Sequence, residues 1–475
     1  MISKEIFREY DIRGNSSIFD KATAYNIGYH FAKMNMSKAN KRFFIAYDSR
    51  ESSLEIFRPI IEGIRDAEGN ISYLGLVPTP LLYFADKKFR PAGSLMLTAS
   101  HNDIRDRGVK LLANNTSFAG EKIQKLFDRI QNDLKIYEPH PHKSNKIYKE
   151  NIDLLYLKRI LEDIKVDNNL KIVWDCSNGT AGSIISKLIN NLPNKNYLIN
   201  NMSEYIQNAD SVTNNSLTKD KLEVDIEQNI DNDEIDNLKN KINSEQADFG
   251  IKFDIDADRI LVITNQGKVL HGDQLLCIYA KEILTHKPNS ILVADVKSSN
   301  ATFEYIRSLG GNPVMWKTGH SNIKSKIKEL RAEIGAELSG HIYFLDKYYG
   351  YDDGIYAALR LINIVSNEKK TLEELSQEIP KKFTTPEIKI KIEDNAKFEI
   401  IEQIKEKLKS MSIDFKDIDG IRCNLQQGWW LIRASNTEPA IIARAESNKE
   451  KELELVLSNL NSIISEYGIR LPSQR

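Results

Sequence analysis

From Lys41 to about Asn367 one rhythm recurs: a short β-branched or aromatic run, a turn holding Gly, Asn, Asp or Ser, then a helical stretch. That alternation of periods is the α/β pattern and excludes all-helical and all-β architectures for this stretch. The strand runs include Phe43–Tyr47, Ile71–Leu76, Leu95–Thr98, Lys171–Trp174, Ile291–Val296 and Pro313–Trp316. Helical spacing predicts helices over Ser52–Ala67, Gly120–Leu134, Asp273–Thr285 and Ser321–Ala332.

Three interruptions divide the chain: the polar stretch Tyr137–Lys149 with its two prolines, the punctuated segment Thr264–Gly272, and Ile379–Pro386. Beyond the last, the pattern changes to strand, helix, paired strands and a long final helix, Lys449–Tyr467. The expected organisation is therefore four domains, 1–145, 146–266, 267–380 and 381–475: three similar mixed α/β domains and a distinct C-terminal α+β domain. A length of 475 residues suits that number at about 100–200 residues each. Asn190–Asp236, rich in Asn and Asp, is expected to be a long solvated excursion.

Composition excludes several functions. Lys+Arg 66 against Asp+Glu 67 leaves a formal charge of -1, so no global field draws the protein to nucleic acid or an anionic membrane, and any anion site must be local. With 41% hydrophobic residues the chain has ample core material, so wholesale disorder is excluded. Cys176, Cys277 and Cys423 are odd in number and far apart, which gives neither a disulfide framework nor a metal knuckle; a reducing cytoplasm is the expected location. Met1–Tyr10 mixes charges and lacks the apolar core of a secretory signal. The longest uncharged run, Gly69–Ala85, is broken by Gly75, Pro78 and Pro80 and is too short to span a bilayer.

Chemistry is concentrated in polar loops that follow strands. Asp254, Asp256 and Asp258 stand at alternate positions after Ala247–Phe253, and alternate spacing on extended chain points three carboxylates the same way. Like charges that close need a cation, and an all-oxygen set selects a hard ion such as Mg²⁺. A calcium EF-hand loop would need Gly where Arg259 stands and Glu where Asn265 stands. A merely solvated polar turn is the bland alternative. Thr98–Asn102 follows another strand, so a tight turn there would lift the Ser100 hydroxyl from the sheet edge as nucleophile or phosphate carrier. The hydrolase elbow is disfavoured, since Thr98 and Asn102 replace its glycines. Arg433–Pro439 offers a guanidinium, hydroxyls, an amide and backbone N–H groups that could wrap a phosphate, or form only a hairpin turn. Trp316–His320 sets an imidazole beside Lys317, and Glu337–His341 alternates hydrogen-bonding side chains suited to sugar hydroxyls, with His341 or His320 able to move protons near neutral pH.

Taken in order, Phe7–Gly14, the Ser100 loop, the aspartate loop, the Glu337 loop and the Arg433 loop resemble the α-D-phosphohexomutase superfamily over essentially the whole chain. Trp316–His320, Tyr349–Tyr356 and Asn436 are similar to the bacterial phosphomannomutase/phosphoglucomutase branch; glucosamine-phosphate mutases typically carry Gly at the last position. The resemblance implies a heart-shaped, four-domain enzyme with a central cleft. It would interconvert hexose 1- and 6-phosphates, of mannose or glucose, through a phosphoserine and a bisphosphorylated sugar. Glucosamine-phosphate mutase and a catalytically idle phosphosugar-binding paralogue are the alternatives. Ser100 would be the phosphoserine, and Asp254, Asp256, Asp258 and the Ser100 phosphate would hold Mg²⁺. Tyr10, Arg13, His101, Lys110, Arg259, Lys297 and His320 would line the cleft, Lys110 and His320 as candidates for proton transfer. Glu337 and Ser339 would read sugar hydroxyls with His341 nearby, and Arg433, Ser435, Asn436 and Thr437 would hold the non-transferring phosphate. A hexose 1,6-bisphosphate would be the activator, and a monomer or weak homodimer without nucleic-acid or membrane partners is implied.

This chain departs from the family pattern at Ile255 and Ala257, where the aspartate loop usually has glycine. If both positions need positive φ, each costs roughly 1–2 kcal/mol of strain. Asp103, Arg107–Gly108 and Ala336 are smaller departures, and all proposed ligand side chains are kept.

Overall fold

The structure, a computed structural model, describes residues 2–100, 105–139, 147–166, 170–201, 232–393, 396–436 and 438–472. It comprises two compact units, Met1–His271 with Gly340–Glu373, and Gly272–Ser339 with Glu374–Arg475.

The first unit holds two sheets. In one, the strands run in the order Ile12–Asn15, Asp106–Ala113, Gly93–Leu97, Arg42–Tyr47, Asn70–Leu76 and Ile147–Lys149. The last four are parallel and the first two form an antiparallel margin. Continuous runs such as Phe43, Ile45, Leu95 and Leu97 are buried, as expected of parallel strands covered on both faces. The helices Lys21–Asn35 and Glu51–Asp66 supply Ile27, Phe31, Ile56, Ile60 and Ile64 to the same core. The other sheet runs Val269–Leu270, Ile260–Thr264, Phe249–Phe253, Lys171–Asp175 and Lys195–Ile199, with the last three parallel.

The strand Lys195–Ile199 lies inside the segment expected to be a solvated excursion. Its Tyr197 and Ile199 pack on the core of Val173, Leu238 and Ile242, and this apolar alternation was diluted in the sequence by the surrounding asparagines. Residues 202–231 of that segment lie outside the described residues. The stretch read as a linker ends in the strand Ile147–Lys149, which extends the first sheet. Cys176, Cys277 and Cys423 are buried free thiols.

In the second unit, Asn312–Trp316, Ile291–Asp295 and Ile334–Ala336 are parallel. Its C-terminal part is an antiparallel sheet, Phe383–Thr384, Ala440–Ser447, Gly428–Ala434, Ile421–Asn424 and Phe415–Lys416, with Ile388–Lys391 also paired to Ala440–Ser447. The helices Ala396–Ser410 and Glu450–Ile464 cover it through Ile404, Leu408, Val456 and Leu460. The change of class expected after Pro386 is thus a change from parallel to antiparallel pairing. Among the described residues no helix is long and apolar enough to cross a membrane.

Candidate active site

Open parallel sheets present functional loops at the carboxyl ends of their strands. Asp48–Arg50, Val77–Thr79 and Thr98–Ser100 leave three parallel strands of the first sheet at that end, Asp254–Arg259 leaves the second, and Val296–Ser299, Lys317–His320 and Glu337–Gly340 leave the third. The sequence motifs therefore sit where such topology gathers chemistry.

Ser100 is 2% exposed and has left-handed backbone, φ +51. A side chain in that region is uncommon outside turns and functional sites. The conformation is held from several sides: its N–H donates to Thr98 Oγ1 at 2.9 Å, and Arg50 donates to its carbonyl. Its hydroxyl donates to Asp254 Oδ2 at 3.2 Å and accepts from Arg259 Nη2 at 2.9 Å. Arg13, on the margin strand Ile12–Asn15, donates through Nε to Asp11 at 2.9 Å and through Nη1 to the Ala99 carbonyl at 3.5 Å. Tyr10 is buried just before that strand.

The three aspartates converge: one ligand atom from each lies within 4.8 Å of the others. Asp254 accepts Arg259 Nε at 2.9 Å. Asp256 Oδ2 accepts Thr79 Oγ1 and Lys110 Nζ, each at 2.6 Å, and Lys110 also donates to Asp258 Oδ2 at 2.5 Å. Burial pushes the Asp254 carboxyl up to about 7, the neighbouring aspartates adding to it against the pull of Arg259. Burial would also lower Lys110 and raise Asp256, but the attraction between them wins: Lys110 is held well above the ordinary lysine range and Asp256 below the carboxylate range. Lys110 is therefore held as a cation between the two carboxylates.

A divalent cation fits this donor set. Asp256 Oδ1 and Asp258 Oδ1 are buried and have no hydrogen-bond partner among the described residues, an arrangement that costs free energy unless a cation meets them. All the donors are oxygens.

The loop tolerates its missing glycines. Only Ala257 takes positive φ, +58; Ile255 does not, so the expected strain of about 1–2 kcal/mol falls at one position instead of two. Ile255 lends its carbonyl to Thr180, which donates its N–H at 2.8 Å and its hydroxyl at 2.9 Å. A Cβ on Gly179 would lie 2.4 Å from that carbonyl, so the close approach requires glycine there.

His341 joins the cluster through a β-bridge between Arg259 and His341. Gly340, at φ +96, makes this possible: its Ile260 neighbour donates N–H to the Gly340 carbonyl at 3.1 Å, and a Cβ at Gly340 would meet the Ile260 oxygen at 2.2 Å. His341 Nδ1 lies 3.1 Å from Asp352 Oδ2 and 3.6 Å from Asp258 Oδ1. The next residue, Asp353, caps the helix Gly354–Asn367 by accepting Tyr356 N–H at 2.8 Å, and also takes the Tyr156 and Tyr348 hydroxyls at 2.9 and 2.7 Å.

The second unit carries a separate polar cluster. Glu337, 2% exposed, accepts Gly319 N–H at 2.7 Å, which ties the Glu337 loop to the loop that opens the helix at His320. Lys297 lies 3.1 Å from Glu387 and 3.9 Å from Asp295, and Asp295 accepts the Thr318 hydroxyl at 3.1 Å. Arg433 donates to Asp419 at 3.0 Å, the same carboxylate oxygen that takes Thr318 N–H at 3.1 Å. Ser435 is buried, with its N–H on the Ala440 carbonyl at 2.9 Å, while Asn436 is half-buried and Ser339 is exposed. Burial lowers the Lys297 ammonium, but Glu387 and Asp295 outweigh it, so the lysine stays charged. His101 and Thr437 lie outside the described residues.

Sequence reasoning did not single out Arg50, Thr79, Asp295, Asp352, Glu387 or Asp419. Asp48–Arg50 bears the same signal as the chosen motifs, a polar triplet after an apolar strand, and could have been found. Glu387 and Asp419 flank no motif, and only the folded chain brings them to Lys297 and Arg433.

A buried serine hydroxyl beside three converging aspartates suits phosphoryl transfer, and comparison with known proteins gives the family. Four family models match in order: phosphoglucomutase/phosphomannomutase alpha/beta/alpha domain I at residues 4–136, domain II at 154–267, domain III at 271–383 and the C-terminal domain at 387–461. The chain belongs to the phosphoglucomutase/phosphomannomutase family of the α-D-phosphohexomutase superfamily. It is 35% identical over 474 residues to the phosphomannomutase/phosphoglucomutase of Pseudomonas aeruginosa, covering 98% of this chain and 97% of the relative. It is 36% identical over 453 residues to the protein of that name from Pseudomonas syringae, covering 95% and 93%. A phosphoglucomutase/phosphomannomutase family protein from Burkholderia thailandensis, solved by X-ray crystallography, superposes with a TM-score of 0.84 at 28% identity, covering 100% of both chains.

Proposed function

We propose that the enzyme interconverts the 1- and 6-phosphates of glucose and mannose through a phosphate carried on Ser100, with a hexose 1,6-bisphosphate as intermediate and activator. One observation carries this reading: the Ser100 hydroxyl lies within 3.2 Å of Asp254 and 2.9 Å of Arg259, at the edge of a buried three-aspartate cluster. Phosphoryl transfer needs positioning and charge neutralisation more than covalent assistance. In each half-reaction the Ser100 Oγ–P bond breaks as a P–O bond to a sugar hydroxyl forms, or the reverse; the proton leaves the hydroxyl that gains phosphorus and goes to the oxygen that loses it.

Asp254, Asp256 and Asp258 would hold Mg²⁺ with the Ser100 phosphate. When bound, the ion supplies positive charge to the phosphoryl oxygens. Arg259 donates to the serine oxygen and steadies Asp254, while Arg13 and Arg50 grip the backbone of the Ser100 loop. Lys110, held as an ammonium by Asp256 and Asp258, offers positive charge to the transferring phosphoryl group. His341, whose Nδ1 lies 3.1 Å from Asp352 Oδ2, is the imidazole of this cluster that could take or give a proton. In the second unit, Arg433 with Ser435, Asn436 and Thr437 suits the non-transferring phosphate, and Glu337 with Ser339 suits a pair of sugar hydroxyls. Lys297 and His320 are proposed to complete that surface, as Tyr10 and His101 are for the serine loop.

The test is a coupled mutase assay on glucose 1-phosphate, mannose 1-phosphate and glucosamine 1-phosphate, with a bisphosphate activator, in Mg²⁺ and after chelation. Turnover of glucose and mannose substrates that stops without metal is expected. A clear preference for the amino sugar, turnover undiminished without metal, or binding with no turnover would each overturn the proposal.

A further inference from the structure

The second unit holds a further polar cavity. It has a volume of about 470 Å³. One wall is the helix Asn300–Ser308, in the third family domain; the other is formed by Lys416, Asn424, Gln426 and the start of the strand Gly428–Ala434, in the fourth. It shares no residue with the site described above. Trp429 lines it, whereas Arg433 of the phosphate loop stands four residues further along the same strand, about 14 Å away at the usual rise.

The charges around this cavity do not balance locally. Lys382 pairs with Glu304 at 2.9 Å and donates to Asn448 at 2.8 Å. Glu446 is buried and committed through Oε1 to Trp429 Nε1 at 2.8 Å and Asn300 N–H at 2.9 Å. Arg422 covers the Trp429 ring at 3.6 Å and donates to the Ser298 carbonyl and Asn300 Oδ1. Arg307 and Lys416 remain, one from each wall, and neither makes an ion pair or side-chain hydrogen bond with a described residue. Burial first, and then the like charges of Arg422 and Arg307, hold the Lys416 ammonium below the ordinary lysine range against the weaker pull of Asp414. These two exposed cations, one from each wall, carry like charge with only Asp414 acting against it at Lys416, and an anion between them relieves their repulsion. Asn424 and Gln426 add amides that are likewise uncommitted to described residues. Amide lining suits a hydroxylated ligand rather than a lipid, and the volume falls in the range of about 300–1,000 Å³ usual for small-molecule sites.

The geometry points to a second ligand site, separate from turnover: this cavity takes a phosphorylated polyol of hexose size, with its phosphate between Arg307 and Lys416 and its hydroxyls on Asn424 and Gln426. A ligand held there bridges the third and fourth domains and so bears on the placement of the phosphate loop from behind.

The test follows the acylation rate of Lys416 in the full-length protein by mass spectrometry, with glucitol 6-phosphate as probe and glucitol and inorganic phosphate as controls. At four times its dissociation constant a probe occupies about four-fifths of its sites, so Lys416 acylation should slow about fivefold. The slowing should persist in Arg433→Ala, where the phosphate loop is weakened, and vanish in Arg307→Ala. Arg307 is exposed, so that variant should keep the native melting temperature. An unchanged Lys416 rate, protection matched by inorganic phosphate at equal concentration, or protection surviving in Arg307→Ala would overturn the proposal.

Discussion

Replacing Lys110 by methionine tests the electrostatics of the aspartate cluster directly. The ammonium lies 2.6 Å from Asp256 and 2.5 Å from Asp258, and all three side chains are almost wholly buried. Methionine keeps much of the volume and removes the cation, leaving carboxylates to face one another without solvent. Losing one partner of a buried ion pair typically costs about 3–5 kcal/mol. At about 2–4 °C per kcal/mol for a large domain, the melting temperature in chelator should fall by about 6–20 °C. Magnesium should recover part of this loss, since a ligand at a hundred times its dissociation constant stabilises by about 2.7 kcal/mol. The sign with pH follows from the shifts. Asp256 sits below its unfolded value, so its stabilising contribution is present above that value and is lost as pH falls. In the variant the same carboxyl is buried without its cation and is pushed up, so acidification relieves it. The gap between the two proteins should therefore narrow on acidification in metal-free buffer, first above about pH 4 as the raised carboxyl of the variant protonates and then below it as the native Asp256 loses its advantage. Scanning calorimetry of both proteins, in chelator and in magnesium, reads all of this. Equal melting temperatures in chelator, or a gap that widens on acidification, would refute the reasoning.

Other predictions concern single positions. Gly340→Ala places a Cβ 2.2 Å from the Ile260 carbonyl at φ +96, so it should destabilise the protein by at least about 1–2 kcal/mol and depress turnover by displacing His341; native-like stability and activity would contradict this. Arg433→Ala should raise KM for hexose phosphates about 10–100-fold with a smaller change in kcat, as expected for loss of a charged hydrogen bond of about 1.5–3 kcal/mol, and an unchanged KM would remove Arg433 from phosphate recognition. Asp353 is pushed up to about 6 by burial, against the pull of Tyr356 N–H, Tyr348 and Tyr156. Because its folded value lies above the unfolded one, stability falls as pH rises through about 4 to 6, and the melting temperature of the native protein should decline relative to Asp353→Asn across that window. A constant difference between the two would show that Asp353 does not titrate there.

Much of this was legible in the chain because parallel sheets write themselves as apolar runs followed by polar loops. Phe43–Tyr47, Lys171–Trp174 and Ile291–Val296 fall within one or two residues of their observed strands, and the Ser100, Asp254 and Glu337 loops follow strands as expected, whereas Arg433 and Ala434 are the last residues of the strand Gly428–Ala434 and the turn begins at Ser435. The helix Thr79–Phe89 was not read, since Pro78 and Pro80 punctuate an uncharged run, yet Pro80 fits the first turn where no N–H is needed. What spacing could not disclose is cross-chain pairing. Lys110 is unremarkable on its strand until Asp256 and Asp258 meet it, 146 and 148 residues away. Ile255 and Ala257 in place of the loop glycines would each be strained if both positions needed positive φ, and the backbone needs it only at Ala257.

The most direct test asks where phosphate resides during turnover. Incubating the protein with hexose 1,6-bisphosphate labelled in its phosphates, removing excess, and mapping the label by peptide mass spectrometry should place a single phosphate on Ser100, which unlabelled hexose monophosphate then discharges. Label on another residue, or a Ser100→Ala protein that turns over at the native rate, would contradict the account.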